Sequence, residues 1–143
     1  MIDNLKTFLL GGHAILTCEN PEKGTHITFK ILKSRINEET YDVWVLISPD
    51  TYGYMGTLRT KDNLDKTKIL LYFIHTSTNI GRDSKSGQSF RWLILNINRH
   101  ISSGNSDLNK AKFYHEGKCC VCGKTLTSPE SIKDGIGPTC KNK

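Results

Sequence analysis

The spacing of the cysteines constrains this chain more than any other feature does. Four of the five cysteines lie in residues 119–143, and three of them form the pattern Cys119-x-x-Cys122-Gly with Cys140 after 17 intervening residues. A Cys-x-x-Cys turn brings two thiolates to one ion, and a glycine after the second cysteine lets the backbone fold beneath the sulfurs. An odd number of cysteines clustered in this way indicates a metal site in a reducing compartment and not a disulfide framework.

A tetrahedral zinc site needs a fourth ligand, and the two candidates near the cluster are His115 and Cys120. Cys120 lies between two ligands in the sequence, where its side chain is expected to project away from the ion, so His115 is preferred. Closed Cys₃His coordination leaves no open position for water, which indicates a structural and not a catalytic ion. The sequence therefore predicts Zn²⁺ held by His115, Cys119, Cys122 and Cys140.

The first half of the chain has the alternation and the turn signals of antiparallel β-structure. Residues 13–18 and 25–32 flank a turn-rich segment and predict one hairpin, and residues 41–48 and 52–59 predict a second hairpin across Pro-Asp. Residues 68–75 are a continuous apolar run of strand length, as expected for a strand that is covered on both faces or lies centrally in a sheet.

The hydrophobic period changes after about residue 86. Phe90, Leu93, Ile94, Ile97 and Ile101 fall at i, i+3, i+4, i+7 and i+11, which is the stripe of an amphipathic helix that ends near residues 102–104. Strands followed by one helix predict an α+β fold, with a twisted antiparallel sheet, one packed helix and a small C-terminal zinc knuckle or ribbon. We expect an α+β domain over residues 1–112 and a zinc-binding module over residues 113–143.

Positive charge is concentrated in the middle of the chain, where residues 51–112 carry 10 Lys and Arg against 4 Asp and Glu. Such a balance favours polyanionic partners. Tyr52 and Tyr54 share a strand face on which single-stranded bases could stack, whereas Trp44 is expected to be a core residue. The predicted nucleic-acid-binding residues are Tyr52, Tyr54, Arg59, Lys61, Arg82 and Lys85.

No catalytic motif is visible in the sequence. The four histidines outside the tail occur singly, without a paired carboxylate or a nucleophile motif, and we expect no enzyme. Gly11-Gly12, Gly53 and Gly56 do not stand between a strand and a helix with the spacing of a phosphate-binding loop, so they are interpreted as turn or bulge glycines. The absence of a membrane-length apolar run and of a signal-like amino terminus predicts a protein of the cytoplasm, here of a host cell.

Residues 115–140 read His-Glu-Gly-Lys-Cys-x-x-Cys-Gly-x-x-Leu-Thr-x-Pro-Glu-Ser-Ile-x-x-Gly-Ile-Gly-Pro-x-Cys. This string resembles the carboxy-terminal module of small phage and mobile-element proteins of unknown function, and also the short zinc tail of some phage-type helicases and other DNA-processing proteins. Residues 8–31 are similar to the β-hairpin that opens many of those small proteins. The resemblance implies that Cys119, Cys122 and Cys140 are ligands and places His115 at a position usually occupied by histidine. Cys120 departs from the small or polar residue found there.

Two classes of function are consistent with these features. The first is a non-enzymatic, nucleic-acid-associated factor of a phage or mobile element, in which the sheet and the basic middle contact phosphates. The second is a phage-encoded inhibitor that antagonises a host defence by binding a host protein or by sequestering a small nucleotide, with contacts from the sheet and from the polar loop over residues 76–88. Either class is expected to act without a membrane, and the sequence leaves the oligomeric state open.

Overall fold

Two helices, a short 3₁₀ turn and six strands make up the fold of the computed structural model, which describes residues 4–37, 39–62, 68–74, 80–81, 84–126, 135–137 and 140. The elements are α1 (Leu5–Leu9), β1 (His13–Asn20), β2 (Thr25–Lys33), β3 (Thr40–Ser48), β4 (Thr51–Asp62), β5 (Lys68–Ile74), α2 (Lys85–Ser103), the 3₁₀ turn Leu108–Lys110 and β6 (Lys112–His115).

The six strands form one curled antiparallel sheet in the order β5-β4-β3-β2-β1-β6. The strands β1 to β5 follow one another as neighbours, and β6 returns to the far edge to pair with β1. Both predicted hairpins are confirmed, and residues 68–74 form a strand as predicted, because alternation and turn residues are local signals. The expectation that this strand is covered on both faces or central is wrong, because β5 lies at an edge of the sheet and Phe73 is half exposed. The last strand carries the chain directly to the cysteines.

The core lies between one face of the sheet and the two helices. Phe29 on β2 and Tyr72 on β5 both contact the ring of Phe90 on α2, with centroid separations of 5.0 and 4.8 Å. The short helix α1 adds Phe8 and Leu9 to the same core, both almost fully buried. We call this face of the sheet the inner face.

The predicted amphipathic helix is confirmed as α2. Ser84 caps its N-terminus, because its side chain accepts a hydrogen bond from the Gly87 N–H, and Gly104 ends it with φ of 72°. The Asn98 amide also bonds the main chain of Leu70 on β5, accepting its N–H at 2.8 Å and donating to its C=O at 2.8 Å. One polar side chain thus joins the helix to the edge strand.

An α+β fold with one helix packed on a curled sheet agrees with the sequence prediction. Trp44 is a correction, because it points away from the inner face and is only half-buried. Within the predicted polar loop over residues 76–88, residues 76–79 and 82–83 lie outside the described residues, and residues 85–88 belong to α2. In the described part of the chain, no helix combines the length and apolar character needed to cross a membrane.

Candidate metal centre and sheet face

The Cys-x-x-Cys segment is a tight hairpin knuckle. Lys118 and Thr125 form an isolated antiparallel bridge across it, and the Cys119 N–H donates to the Lys124 carbonyl at 2.8 Å. The turn closes where the Gly123 N–H donates to the Cys119 carbonyl at 2.9 Å, and Gly123 has φ of 78°, which a residue with a Cβ rarely adopts. The tight turn that the glycine predicted after Cys122 is therefore present in the backbone.

Three thiols converge at this knuckle, those of Cys119, Cys122 and Cys140, whose sulfurs all lie within 4.8 Å of one another. Tetrahedral Zn–S bonds of about 2.3 Å place sulfurs roughly 3.8 Å apart, so a small inward movement would complete such a set. The three residues can hold a metal ion.

Backbone N–H groups favour a thiolate at Cys119. Burial alone would raise the pKa of Cys119, but hydrogen bonds from the N–H groups of Gly137, Cys122 and Val121 outweigh it and lower this pKa to about 7. The donors at Gly137 and Val121 lie 3.2 and 3.4 Å from Sγ. Soft thiolates fixed in this way suit Zn²⁺ and other thiophilic ions.

The pKa of Cys140, a second thiol of this group, is shifted in the opposite direction. The hydrogen bond with the Cys122 thiol, followed by burial, raises the pKa of Cys140 to about 11. A metal-free chain therefore holds one thiolate here at neutral pH more readily than two, because the thiolates repel one another. A divalent cation would remove that repulsion, so the donor set fits a metal better than it fits three free thiols.

Cys120 is not part of this group and lies in the hydrophobic core, 2% exposed. Its carbonyl accepts the His13 N–H at 2.7 Å, its N–H donates to the Gly135 carbonyl at 2.9 Å, and its sulfur packs beside Gly11. Burial raises the pKa of the Cys120 thiol to about 11. The expectation that this side chain projects away from the ion agrees with the geometry.

His115 lies at the end of β6, against Phe8, with ring centroids 6.1 Å apart. Its Nδ1 accepts the Gly117 N–H at 2.9 Å. A neutral imidazole that accepts at Nδ1 carries its proton on Nε2, so ligation by His115 requires this bond to break. The three-sulfur group does not include His115, and its role as the fourth ligand stays a prediction.

The second feature is the face of the sheet that points away from the helices. A β-bulge between Val43 and Trp44 leaves Met55 as the extra residue of β4, buried in the core. Before the bulge Tyr54 pairs with Trp44, and after it Arg59 pairs with Thr40. Because residues 40 and 44 of β3 share a face, the bulge places Tyr54 and Arg59 on one face although they are an odd number of residues apart.

We call this surface the outer face and define it by Lys30, Trp44, Tyr52, Tyr54, Arg59 and Lys61.

Aromatic rings and cations are interleaved on the outer face. The rings of Trp44 and Tyr54 are 5.0 Å apart, and the Lys30 ammonium lies 4.9 Å from the centre of the Tyr52 ring. The Trp44 Nε1 is buried and has no hydrogen-bond partner among the described residues. Burial, followed by the charge of Glu116, raises the pKa of Tyr52, so its phenol stays neutral at physiological pH.

The structure thus brings together four of the six predicted nucleic-acid-binding residues: Tyr52, Tyr54, Arg59 and Lys61. Lys85 starts α2 on the opposite side of the sheet, and Arg82 lies outside the described residues. Sequence reasoning missed Lys30, whose place beside Trp44 depends on the β2–β3 register. The sequence did contain one signal for the bulge. Gly56, interpreted as a turn or bulge glycine, pairs with Val43 at the register shift.

Residues 110–143 match a family of unknown function (DUF6011). Neither the curated proteins nor the solved structures contain a match to the chain. The family likeness therefore covers β6, the knuckle and the third cysteine, and the strands that carry the outer face, β2, β3 and β4, lie outside it.

Proposed function

We propose that this protein is a non-enzymatic, single-strand nucleic-acid-binding factor of a phage or mobile element, acting in the cytoplasm of its host and carrying a structural zinc ion in its tail. The observation that carries the proposal is the bulge at Met55, which gathers the aromatic and basic residues of the outer face on one side of the sheet. Strands bearing exposed aromatic rings and cations are the arrangement that single-stranded binders use.

Bases would stack on the rings of Trp44, Tyr52 and Tyr54, while Arg59 and Lys61 neutralise phosphates. Both cations are exposed, and the three rings are half-buried, so the rings are held in place and still present surface. The unpartnered Trp44 Nε1 is a donor that a base or sugar atom could satisfy. Asp42 lies on the same face, and the charge of Glu116 acts on Tyr52 there, so two carboxylates oppose three cations and the outer face stays net positive.

The binding test is fluorescence anisotropy with a labelled single-stranded oligonucleotide at 50 and 200 mM salt. Tyr54→Ala should weaken binding about tenfold or more, since one stacked base contributes about 1–3 kcal/mol. Arg59→Ala should weaken binding and reduce the salt slope by about 0.7. The matched control is Arg91→Ala, which removes an exposed arginine of α2 away from the outer face. This substitution should leave the affinity and the salt slope unchanged. Absence of binding at low salt, or equal losses in Arg59→Ala and Arg91→Ala, would refute the proposal.

The proposed ion is Zn²⁺ held by Cys119, Cys122 and Cys140, with His115 as the fourth ligand once its Gly117 bond is released. Bound zinc would crosslink the knuckle to the segment that carries Cys140, and it supplies no catalytic step. Metal analysis should find one zinc per chain, lost in Cys140→Ser and kept in Cys18→Ala. Substitution of zinc by Co²⁺ tests whether His115 is the fourth ligand. The visible spectrum of the Co²⁺ form should change in His115→Ala only if His115 coordinates the ion.

A protein-binding role, as in an inhibitor of a host defence protein, has one observation in its favour. A groove of about 820 Å³ runs between β5 and α2 and exposes half of the Phe73 and Leu95 side chains. Exposed apolar side chains beside a groove are common at protein interfaces. A complex with one host protein that survives high salt and is lost in Leu95→Asp would favour this function over nucleic-acid binding.

A further inference from the structure

A cavity of about 480 Å³ lies between the tip of the β1–β2 hairpin and the first half of α2. Its volume is in the range that holds a small ligand. The wall formed by α2 consists of Lys85, Gln88, Ser89 and Trp92, which are spaced i, i+3, i+4 and i+7 and so share one face of the helix. The cavity lies on the inner-face side of the sheet and shares no residue with the outer face.

The floor of the cavity is apolar and uncharged. Cys18 and Ile27, which pair across β1 and β2, form it together with Trp92 and Ala111. Burial raises the pKa of the Cys18 thiol to about 12, so this group adds no negative charge. Such a floor suits a flat aromatic ring, which gains from burial against the Trp92 indole.

The rim of the cavity carries two cations from separate elements. Lys23 comes from the hairpin tip and Lys85 from the start of α2. The Asn20 side chain accepts the backbone N–H groups of Glu22 and Lys23, at 3.1 and 3.3 Å, and thereby fixes the turn that presents Lys23. Glu19 alternates with Cys18 and Asn20 along β1, so its carboxylate points to the other face of the sheet and does not oppose the two cations. Two cations match the charge of about −2 that one phosphate monoester carries at neutral pH, whereas a polyphosphate carries more.

The distance between the cationic end of the cavity and its aromatic end also limits the length of the ligand. Seven helical residues from Lys85 to Trp92 span about 10.5 Å, which is comparable to the length of a nucleotide from phosphate to base. We propose that this cavity binds a nucleoside monophosphate, with the base against Trp92 and the phosphate between Lys23 and Lys85.

The experiment is calorimetric titration of the zinc-loaded full chain with AMP, GMP, CMP and UMP, alongside adenosine and inorganic phosphate. At least one monophosphate should bind more tightly than either fragment. Lys23→Glu and Lys85→Glu should each weaken that binding about tenfold or more, because each reverses a charge that contacts the phosphate. The matched control is Lys30→Glu, the same charge reversal on the outer face, which should leave nucleotide affinity unchanged.

Fluorescence locates the base independently. A Trp44→Phe chain keeps Trp92 as its single tryptophan, and the bound monophosphate should quench it with the dissociation constant found by calorimetry. Absence of binding at millimolar nucleotide would overturn the proposal. So would binding that Lys30→Glu abolishes and Lys85→Glu spares, which would assign the nucleotide to the outer face. Equal affinity for inorganic phosphate without quenching would also overturn it. Oligonucleotide binding depends on different residues, so the two proposals fail separately.

Discussion

Gly11→Ala should detach the cysteine knuckle from the sheet. A Cβ at Gly11 would lie 2.6 Å from the carbonyl oxygen and 2.8 Å from the sulfur of Cys120, and the nearest of these atoms belongs to the backbone. Gly11 is not among the glycines with positive φ, so the substitution tests this contact alone and not backbone strain. The knuckle must move away, and that movement lengthens the 2.7 Å hydrogen bond from the His13 N–H to the same carbonyl.

The size of the effect follows from these two contacts. Overpacking of a close-packed contact costs about 1–3 kcal/mol, and the weakened hydrogen bond adds about 1 kcal/mol. The sum is about 2–4 kcal/mol. A chain of this length changes its Tm by about 4 °C per kcal/mol, so the expected decrease in Tm is about 8–16 °C.

The assay is thermal unfolding followed by far-UV circular dichroism, with hydrogen exchange of the His13 amide measured by NMR. The amide should exchange faster in Gly11→Ala because its acceptor has moved. Gly81→Ala is the matched control, since nothing lies within 4 Å of a Cβ there and φ is not positive. A Gly11→Ala chain with the Tm and the His13 protection of the unsubstituted protein would show that this contact does not hold the knuckle.

Two further perturbations test other parts of the structure. Asn98→Ala removes both bonds to Leu70, and after a helix-propensity gain of about 0.5 kcal/mol it should lower the free energy of unfolding in urea by about 1–2 kcal/mol. The exposed Leu95→Ala is its control, and an equal loss in both variants would contradict the role given to the amide. In the metal-free chain the first thiolate absorbance at 240 nm should appear near pH 7 and be absent from Cys119→Ala, because the pKa of Cys119 is lowered to about 7 from an ordinary 9.0. The stabilisation from this thiolate is fully present above pH 9 and is lost as the pH falls through about 7, so a Cys119→Ala chain whose metal-free stability has the same pH dependence would contradict the assignment.

The strands, the main helix and the cysteine pattern could be predicted because their signals are local. Phe90, Leu93, Ile94 and Ile97 all lie buried on the face of α2 that the 3.6-residue period selects. The knuckle glycine does adopt the left-handed conformation that its position after Cys122 required. In these cases neighbouring residues decide the structure, and tertiary packing reinforces the choice.

The outer face could not be derived in the same way. Strict alternation along β4 puts Tyr52 and Tyr54 on one side and Arg59 and Lys61 on the other. The register shift at the bulge places all four on one face, and the position of that shift depends on the packing of Met55 in the core. The contacts of Gly11 with Cys120 and of His13 with Gly123 join residues more than one hundred positions apart, and no local pattern encodes them.

The attachment of the tail to the sheet limits what a bound metal ion could contribute to the fold. The β6 strand pairs with β1 over four residues, the Cys120 carbonyl bonds the start of β1, and the Cys120 side chain lies in the core. None of these contacts involves a sulfur of the three-thiol group. The knuckle is therefore fixed to the sheet without metal, and an ion would mainly fasten the segment that carries Cys140 to a platform already in place. Because the outer face rests on the β2–β3–β4 register and the Met55 bulge, its geometry should depend little on the metal.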